Sequence, residues 1–151
     1  SASIISNSCL KTYSNNLKSF KTNYPVFTVK LNNILNLQEQ FLLAMNTYNI
    51  NAIVMEPVMG EGNPGEMLSK EFYNAARDLT TEHNSLFIID SVQAGIRTNG
   101  YLSVVDYPTL KNEKAPDIEV FSKAINAGQY PLSVIAVNDN VANKFKTGEM
   151  Y

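Results

Sequence analysis

One apolar run that closes on a carboxylate constrains this chain more than any other stretch of its sequence. Residues Leu86 to Ile89 are all apolar, Asp90 follows them directly, and the chain breaks at Gly95. A short apolar run bounded by turn residues is typical of a strand buried on both faces, as in a parallel sheet. Ligands of open α/β sheets lie outside the carboxyl ends of the strands. The sequence therefore predicts a strand over 85–90 that places Asp90 at a ligand-binding edge, although a capping or purely structural aspartate is the alternative.

Strand and helix patterns alternate along most of the chain. Apolar residues recur at helical spacing over 36–48, and a second helix is predicted from the N-cap candidate Ser69 to His83. Shorter segments complete the pattern, with strands predicted over 52–55, 117–121 and 132–137 and a short helix over 140–145. Such alternation predicts βαβ units and a mostly parallel sheet flanked by helices, which is the α/β class.

The first part of the chain lacks such a pattern. Residues 1–34 are rich in Ser and Asn, and their apolar positions follow no sustained period. They are predicted to form an irregular lead-in segment with one strand over 26–29. The βαβ core is predicted over 35–151.

A lysine follows the predicted strand over 117–121. Lys123 lies between the small residues Ser122 and Ala124, and such neighbours favour a partly desolvated, nucleophilic amine, as Schiff-base chemistry requires. The carboxyl ends of parallel strands meet at one edge of a sheet, so Asp90 and Lys123 are expected there together. This pair predicts a site for carbonyl chemistry.

A glycine-rich loop offers a competing interpretation. Three glycines follow the predicted strand over 52–55 with the spacing of the dinucleotide-binding fingerprint: Gly60, Gly62 and Gly65. A nucleotide-dependent oxidoreductase domain of the NAD type is therefore the alternative function. Against it, the next helix is predicted to begin only near Ser69, and Pro64 has no backbone N–H to offer a phosphate.

Bulk properties exclude several other classes. Twelve basic and fourteen acidic residues give a net charge of −2, which does not indicate a nucleic-acid or anionic-membrane surface. The single cysteine, Cys9, cannot form an internal disulfide and fits a reducing compartment. No apolar run approaches the ~20 residues needed to cross a bilayer. His83 is the only histidine and is interpreted as a surface or capping residue, so no metal site is predicted.

Five short motifs fall in one order along the chain. They are EPVMGEG at 56–62, DSVQAGIRT at 90–98, PDI at 116–118, SKA at 122–124 and GQYPLS at 128–133. In this order they resemble the class III pyridoxal-phosphate (PLP) aminotransferases, the ornithine, acetylornithine and 4-aminobutyrate group, over roughly residues 50–151. The resemblance implies that the chain is an internal piece of the large domain of a fold-type-I PLP enzyme.

The resemblance also assigns roles to individual residues. It implies that Lys123 forms the Schiff base with PLP and then moves a proton between substrate and cofactor. Asp90 would pair with the pyridine nitrogen and keep it protonated, which makes the ring an electron sink. Val92 would pack on the ring face, Gln93 would hydrogen-bond the phenolic oxygen, and Glu61 would lie beside the substrate carboxylate.

The chain departs from the family pattern at two positions. Ser91 stands where the family usually has glutamate after the aspartate. Arg97 comes one residue earlier than the usual spacing, so a plain structural ion pair is the alternative to a family role. Successive strand side chains point to opposite faces, so the change at Ser91 need not touch the cofactor ring.

The resemblance implies transfer of an amino group from an amine or ω-amino acid to a 2-oxo acid, with 2-oxoglutarate as the expected acceptor. It further implies a homodimer located in the cytoplasm or mitochondrial matrix. Decarboxylases and aminomutases share this fold. A third interpretation is a catalytically inactive relative. The presence of both Asp90 and Lys123 argues against it.

Overall fold

A computed structural model describes residues 27–48, 52–60 and 63–145 of the chain. Within these ranges the regular elements are α1 (Ile34–Thr47), β1 (Ala52–Met55), α2 (Lys70–Glu82), β2 (Leu86–Asp90), β3 (Ile118–Phe121), β4 (Val134–Val137) and α3 (Asp139–Ala142). Short 3-10 helices span Val104–Asp106 and Lys123–Asn126. The predicted alternation of helices and strands is confirmed for this part of the chain.

The strands form one four-stranded sheet in the order β1-β2-β3-β4. β1 and β2 are parallel, as are β2 and β3, where Asp90 is aligned with Val120. β4 is antiparallel to β3, with Phe121 opposite Val134. A parallel β4 would need a long crossover, usually helical, and the connection here holds only a 3-10 turn. The α/β class with a mostly parallel sheet is therefore confirmed.

Side-chain caps start both longer helices. Asn33 accepts a hydrogen bond from the Asn36 N–H at 2.9 Å, and Ser69 accepts one from the Phe72 N–H at 3.1 Å. His83 is the C-cap of α2. The predicted start and end of α2 are thus confirmed, because a side chain satisfies a backbone donor that the first turn leaves free.

The core lies between α2 and one face of the sheet. Phe87 and Ile89 of β2 are 0% exposed and pack in one cluster with Phe72 and Tyr73 of α2. On the opposite face of β2, Leu86 and Ile88 are only half-buried. The prediction that this strand is buried on both faces is therefore wrong within the described residues, since α2 covers one face alone.

Two predicted boundaries also differ from the structure. Residues 27–30 are irregular rather than a strand, because the Lys30 N–H donates to Asn36 Oδ1 and the Lys30 carbonyl accepts from the Asn33 N–H. These backbone groups join the start of α1 instead of a sheet. The predicted helix over 140–145 is the shorter α3. The rest of the lead-in, 1–26, lies outside the described residues, and no helix in the described ranges is long and apolar enough to cross a membrane.

Candidate active site

The carboxyl ends of three parallel strands meet at one edge of the sheet. Asp90 is the last residue of β2, and Lys123 follows β3 after a single residue, Ser122. The loop after β1 reaches the same edge through Gly60, whose N–H donates to Glu56 Oε2 at 3.0 Å. Asp90 and Lys123 therefore lie at the same edge of the sheet, as predicted, because β2 and β3 are parallel neighbours.

Lys123 is joined directly to the β2 side of this edge. Its Nζ donates a hydrogen bond to Gln93 Oε1 at 2.8 Å. Its backbone has φ of 48°, in the left-handed region that residues other than glycine adopt at a cost in strain. The Lys123 side chain is exposed, so the prediction that its amine is desolvated is wrong for the described part of the chain. Its small neighbours leave the amine open to solvent.

Gln93 is held against a glycine. A Cβ built on Gly60 would lie 2.4 Å from Gln93 Cδ and 2.5 Å from its Oε1. Only a residue without a side chain allows the carboxamide to remain at this distance. The missing side chain of Gly60 leaves room for the group that accepts from Lys123, and sequence spacing alone could not have revealed this approach.

Asp90 is 7% exposed and begins a tight turn. Its Oδ1 accepts a hydrogen bond from the Val92 N–H at 3.1 Å, the arrangement by which aspartate side chains stabilise turns. The structural role considered as an alternative for Asp90 therefore exists. A carboxylate can accept several hydrogen bonds, so this contact does not by itself decide between a structural and a cofactor-binding role. Val92 is half-buried.

A second acidic residue, missed from the sequence, lies on the neighbouring strand β3, where it is aligned with Ile89 of β2. Glu119 is 5% exposed, and its Oε1 accepts from Ser91 Oγ at 2.6 Å and from the Val104 N–H at 3.0 Å. Its Oε2 accepts from Ser103 Oγ at 2.6 Å. Burial raises the pKa of nearby Tyr73, and the negative charge of Glu119 raises it further. The available signal was an acidic residue in the middle of an apolar strand.

Beside Lys123 lies an open cleft of about 740 Å³. Its lining includes Arg97 from the turn after β2 and Tyr130 from the connection to β4. Arg97 forms no ion pair within the described residues, so the structural ion pair considered for it is not found there. The predicted substrate-site residue Glu61 lies outside the described ranges.

The glycine-rich loop does not lead into a helix. Val58 and Met67 form an isolated antiparallel bridge, and Gly65 donates its N–H to the Met59 carbonyl at 2.9 Å. The segment therefore turns back on itself, and α2 begins only at Lys70. A dinucleotide fingerprint needs its glycines at the helix N-terminus, so this geometry offers no support for the NAD-type alternative. Across residues 27–48, 52–60 and 63–145, no group of three His, Cys, Asp or Glu side chains could hold a metal ion.

An amine, a carboxylate and a carboxamide thus lie at the carboxyl edge of the mostly parallel sheet of this α/β protein. Comparison with known proteins gives the family. The family model described as aminotransferase class-III matches residues 3–150, and the chain belongs to that family. The resemblance noted from the five motifs is confirmed.

Similar proteins agree with this assignment. The chain is 34% identical over 122 residues to the mitochondrial ornithine aminotransferase of Drosophila melanogaster, covering 80% of this chain and 26% of that protein. It is 37% identical over 101 residues to ornithine aminotransferase 2 of Staphylococcus aureus, covering 66% and 24%. The chain thus spans about a quarter of the length of these curated relatives.

Solved structures carry the same fold. One is an ornithine aminotransferase from Toxoplasma gondii with partial occupancy of PLP at its active site. It matches with a TM-score of 0.69 and 26% identity, over 95% of this chain and 32% of that one. The fold prediction, part of a fold-type-I PLP enzyme, is confirmed.

Proposed function

We propose that residues 1–151 form part of the PLP-binding large domain of an aminotransferase, with 1–34 as a lead-in segment and 35–151 as the core that holds the cofactor site. The enzyme transfers an amino group from an amine or ω-amino acid to a 2-oxo acid, with 2-oxoglutarate as the expected acceptor. The observation that carries this proposal is the hydrogen bond between Lys123 Nζ and Gln93 Oε1 at the sheet edge that also holds Asp90.

The residues at this edge fit PLP, the cofactor of the class III family. When bound, PLP supplies an aldehyde that reacts with amines and a pyridinium ring that withdraws electrons from the substrate carbon. Asp90 supplies the anion that pairs with a protonated ring nitrogen. Gln93 supplies a carboxamide with both donor and acceptor atoms, in the space that the missing side chain of Gly60 leaves open.

Lys123 has two tasks in this proposal. Its amine would hold the cofactor covalently, with loss of water. Once the substrate amine displaces it, the freed Nζ would take the proton from the reacting carbon of the substrate and return it. The hydrogen bond to Gln93 keeps Nζ on the side of β2, next to the residues that face the ring. The exposed position of Lys123 leaves its side chain free to move between these tasks.

Substrates and partners are part of the same proposal. Relatives named ornithine aminotransferase support an ω-amino acid such as ornithine as the first donor to test. Glu61 is proposed to lie beside the substrate carboxylate, and Val92 to pack on the ring. A homodimer is proposed on the family resemblance, and exposed apolar side chains such as Tyr130 (62%) and Ile135 (60%) support it. The cytoplasm or mitochondrial matrix is proposed as the compartment, since one relative is named as mitochondrial.

The test uses the complete gene product purified with PLP. Reduction with borohydride followed by peptide mapping is expected to find the pyridoxyl group on Lys123. Lys123→Ala is expected to lose this label and to slow transamination by about 10⁴-fold or more, since it removes both nucleophile and proton carrier.

Lys114→Ala is the matched control, because the Lys114 side chain makes a long, exposed ion pair with Asp78 at 3.4 Å and the substitution keeps the backbone carbonyl that accepts from the Tyr73 hydroxyl. It is expected to keep both label and activity. A label on another lysine, or near-normal turnover by Lys123→Ala, would overturn the proposal.

A further inference from the structure

A buried carboxylate on β3 contacts the turn that carries the residues assigned to PLP. Glu119 is aligned with Ile89 in the parallel ladder, one residue before Asp90. Ser91 Oγ, Ser103 Oγ and the Val104 N–H all donate to it. The three donors come from two segments, the turn after β2 and the 3-10 helix Val104–Asp106.

Ser91 is the link between this carboxylate and the site. It is 1% exposed and lies between Asp90 and Val92. Its N–H donates to the Val120 carbonyl at 2.9 Å, and its carbonyl accepts from the Gly95 N–H at 2.9 Å. With its hydroxyl bound to Glu119, all of its polar groups are held, and the turn that presents Gln93 starts from a fixed residue.

Glu119 is costly to bury. It forms no ion pair in the described part of the chain, so three hydrogen bonds alone compensate its loss of water. An apolar residue at this strand position would avoid that cost. Hydrogen bonds to an ionised acceptor are the stronger and shorter kind, and both hydroxyl contacts at 2.6 Å are of that length.

We propose that Glu119 is a positioning residue for the cofactor site. Through Ser91 it fixes the end of β2 and the turn behind it, and so sets the orientation of Asp90 and Gln93 toward PLP. Glu119 acts from the opposite side of the strand and touches neither cofactor nor substrate. This inference rests on the proposed function, because it assigns a purpose to the PLP-facing geometry.

Two single-hydroxyl variants separate positioning from stability. Ser91→Ala and Ser103→Ala each remove one 2.6 Å hydrogen bond to Glu119, but only Ser91 adjoins Asp90. In the complete gene product, Ser91→Ala is expected to weaken PLP binding about tenfold, the effect of one lost hydrogen bond to a charged group. Ser103→Ala is expected to lower the melting temperature at least as much, since Ser103 also caps a 3-10 helix, and to leave the PLP Kd within about twofold.

The induced circular dichroism of bound PLP gives a readout that stability does not affect. It is expected to change in Ser91→Ala and to stay unchanged in Ser103→Ala, since it reports how the ring is oriented. Glu119→Gln is the conservative variant: its carbonyl oxygen still accepts from Ser91 and Val104, and its amide can donate to Ser103. It should keep PLP affinity within about threefold of wild type. Glu119→Val, which leaves the buried Val104 N–H without a partner, should lose at least tenfold.

The outcomes are distinguishable. If wild type binds PLP at Lys123 while Ser91→Ala and Ser103→Ala alter Kd and dichroism equally, or not at all, Glu119 is merely structural and this inference is wrong. If wild type itself fails to bind PLP, the proposed function is overturned, and this inference with it.

Discussion

The two ends of β3 are stabilised in different ways. Before its first residue, Asp117 accepts hydrogen bonds from Arg77 Nη1 at 2.6 Å, the Phe87 N–H at 2.8 Å and Asn138 Nδ2 at 2.7 Å. Beyond its last residue, Lys123 is exposed, has a left-handed backbone and makes one hydrogen bond to Gln93. The first end is satisfied by partners that hold it still, and the second keeps a reactive group available.

This difference separates stability from chemistry along a single strand. Burial raises the pKa of Asp117, but the hydrogen bonds from Arg77 and the Phe87 amide outweigh it, so the pKa is held below its usual value. A buried carboxylate with these partners ties α2, β2 and the start of α3 to one point. Binding and catalytic residues lie where fewer contacts hold the chain. Substitutions at the first end should therefore lower the free energy of unfolding, whereas substitutions at the second end should lower PLP binding or catalysis.

After Lys123→Ala, the largest effect is expected from Asp90→Asn, at the end of β2 beside the reactive end of β3. The variant should still bind PLP but remove the substrate proton about 10³-fold more slowly, because a neutral amide cannot pair as an anion with a protonated ring nitrogen. Single-turnover absorbance kinetics of the complete gene product measure this step. Unchanged rates would make Asp90 a turn-forming residue and nothing more.

Asp117→Ala tests the stable end. It leaves the largely but not fully buried Arg77 without its partner, so we expect a loss of about 3 kcal/mol in the free energy of unfolding, at the low end for a broken buried pair. The measurement is the urea midpoint, with Lys114→Ala at the exposed pair as the control. If the folded fraction still carries PLP on Lys123, the effect of the substitution is confined to the stable end. A loss below about 1 kcal/mol would show that the Asp117–Arg77 pair contributes no more to stability than an ordinary surface ion pair.

Gly60→Ala should affect the reactive end while nearly sparing stability. The added Cβ meets the far end of the Gln93 side chain, which can rotate away without moving backbone. We expect about tenfold weaker PLP binding from the lost Gln93 position, with little change in melting temperature. Gly65→Ala is the contrasting variant. No atom lies within 4 Å of a Cβ at this position, but the backbone φ is 89°. The substitution should therefore cost about 1 kcal/mol of stability and leave PLP binding unchanged. The reverse pattern would contradict the assignment.

The smallest effect is a pH dependence at the stable end. The pKa of Asp117 is lower in the folded chain than its usual value, so its contribution to stability is full above the unfolded value of about 3.9. It is lost as pH falls through the lower folded pKa. Urea midpoints of wild type and Asp117→Asn should therefore keep their separation above about pH 4 and converge as pH falls below it. A gap that stays constant with pH would show that the charge of Asp117 is not what stabilises the fold.

The parts that sequence predicted correctly depend on local chemistry. Ser69 caps α2 because the residue type suits that position, and Asp90 and Lys123 share an edge because each follows a strand of a parallel sheet. The residues missed depend on register. Glu119 and Ser91 are distant in sequence, and only the β2–β3 ladder brings their side chains together.

The incorrect predictions concern segments whose tertiary contacts differ from those that their local sequence pattern indicates. Val29 and its neighbours have strand-like composition, yet the backbone of the adjoining Lys30 bonds to residues at the start of α1. Leu86 belongs to an apolar run, but no described element covers its face of the sheet as α2 covers that of Phe87. The contact of Gly60 with Gln93 requires two loops from different strands, which no spacing rule can supply.

The antiparallel pairing of β3 and β4 has a consequence for how the protein acquires its structure. Phe121 lies opposite Val134, so the segment bearing Lys123 is the loop of a hairpin closed by neighbours in sequence. The β1–β2 pairing, in contrast, must wait for a crossover through α2. Local hairpins form within about 10 μs, whereas pairings between distant segments pay a larger entropy of closure and form later. We expect the newly made chain to present its lysine on a formed hairpin before the edge carrying Asp90 is assembled beside it.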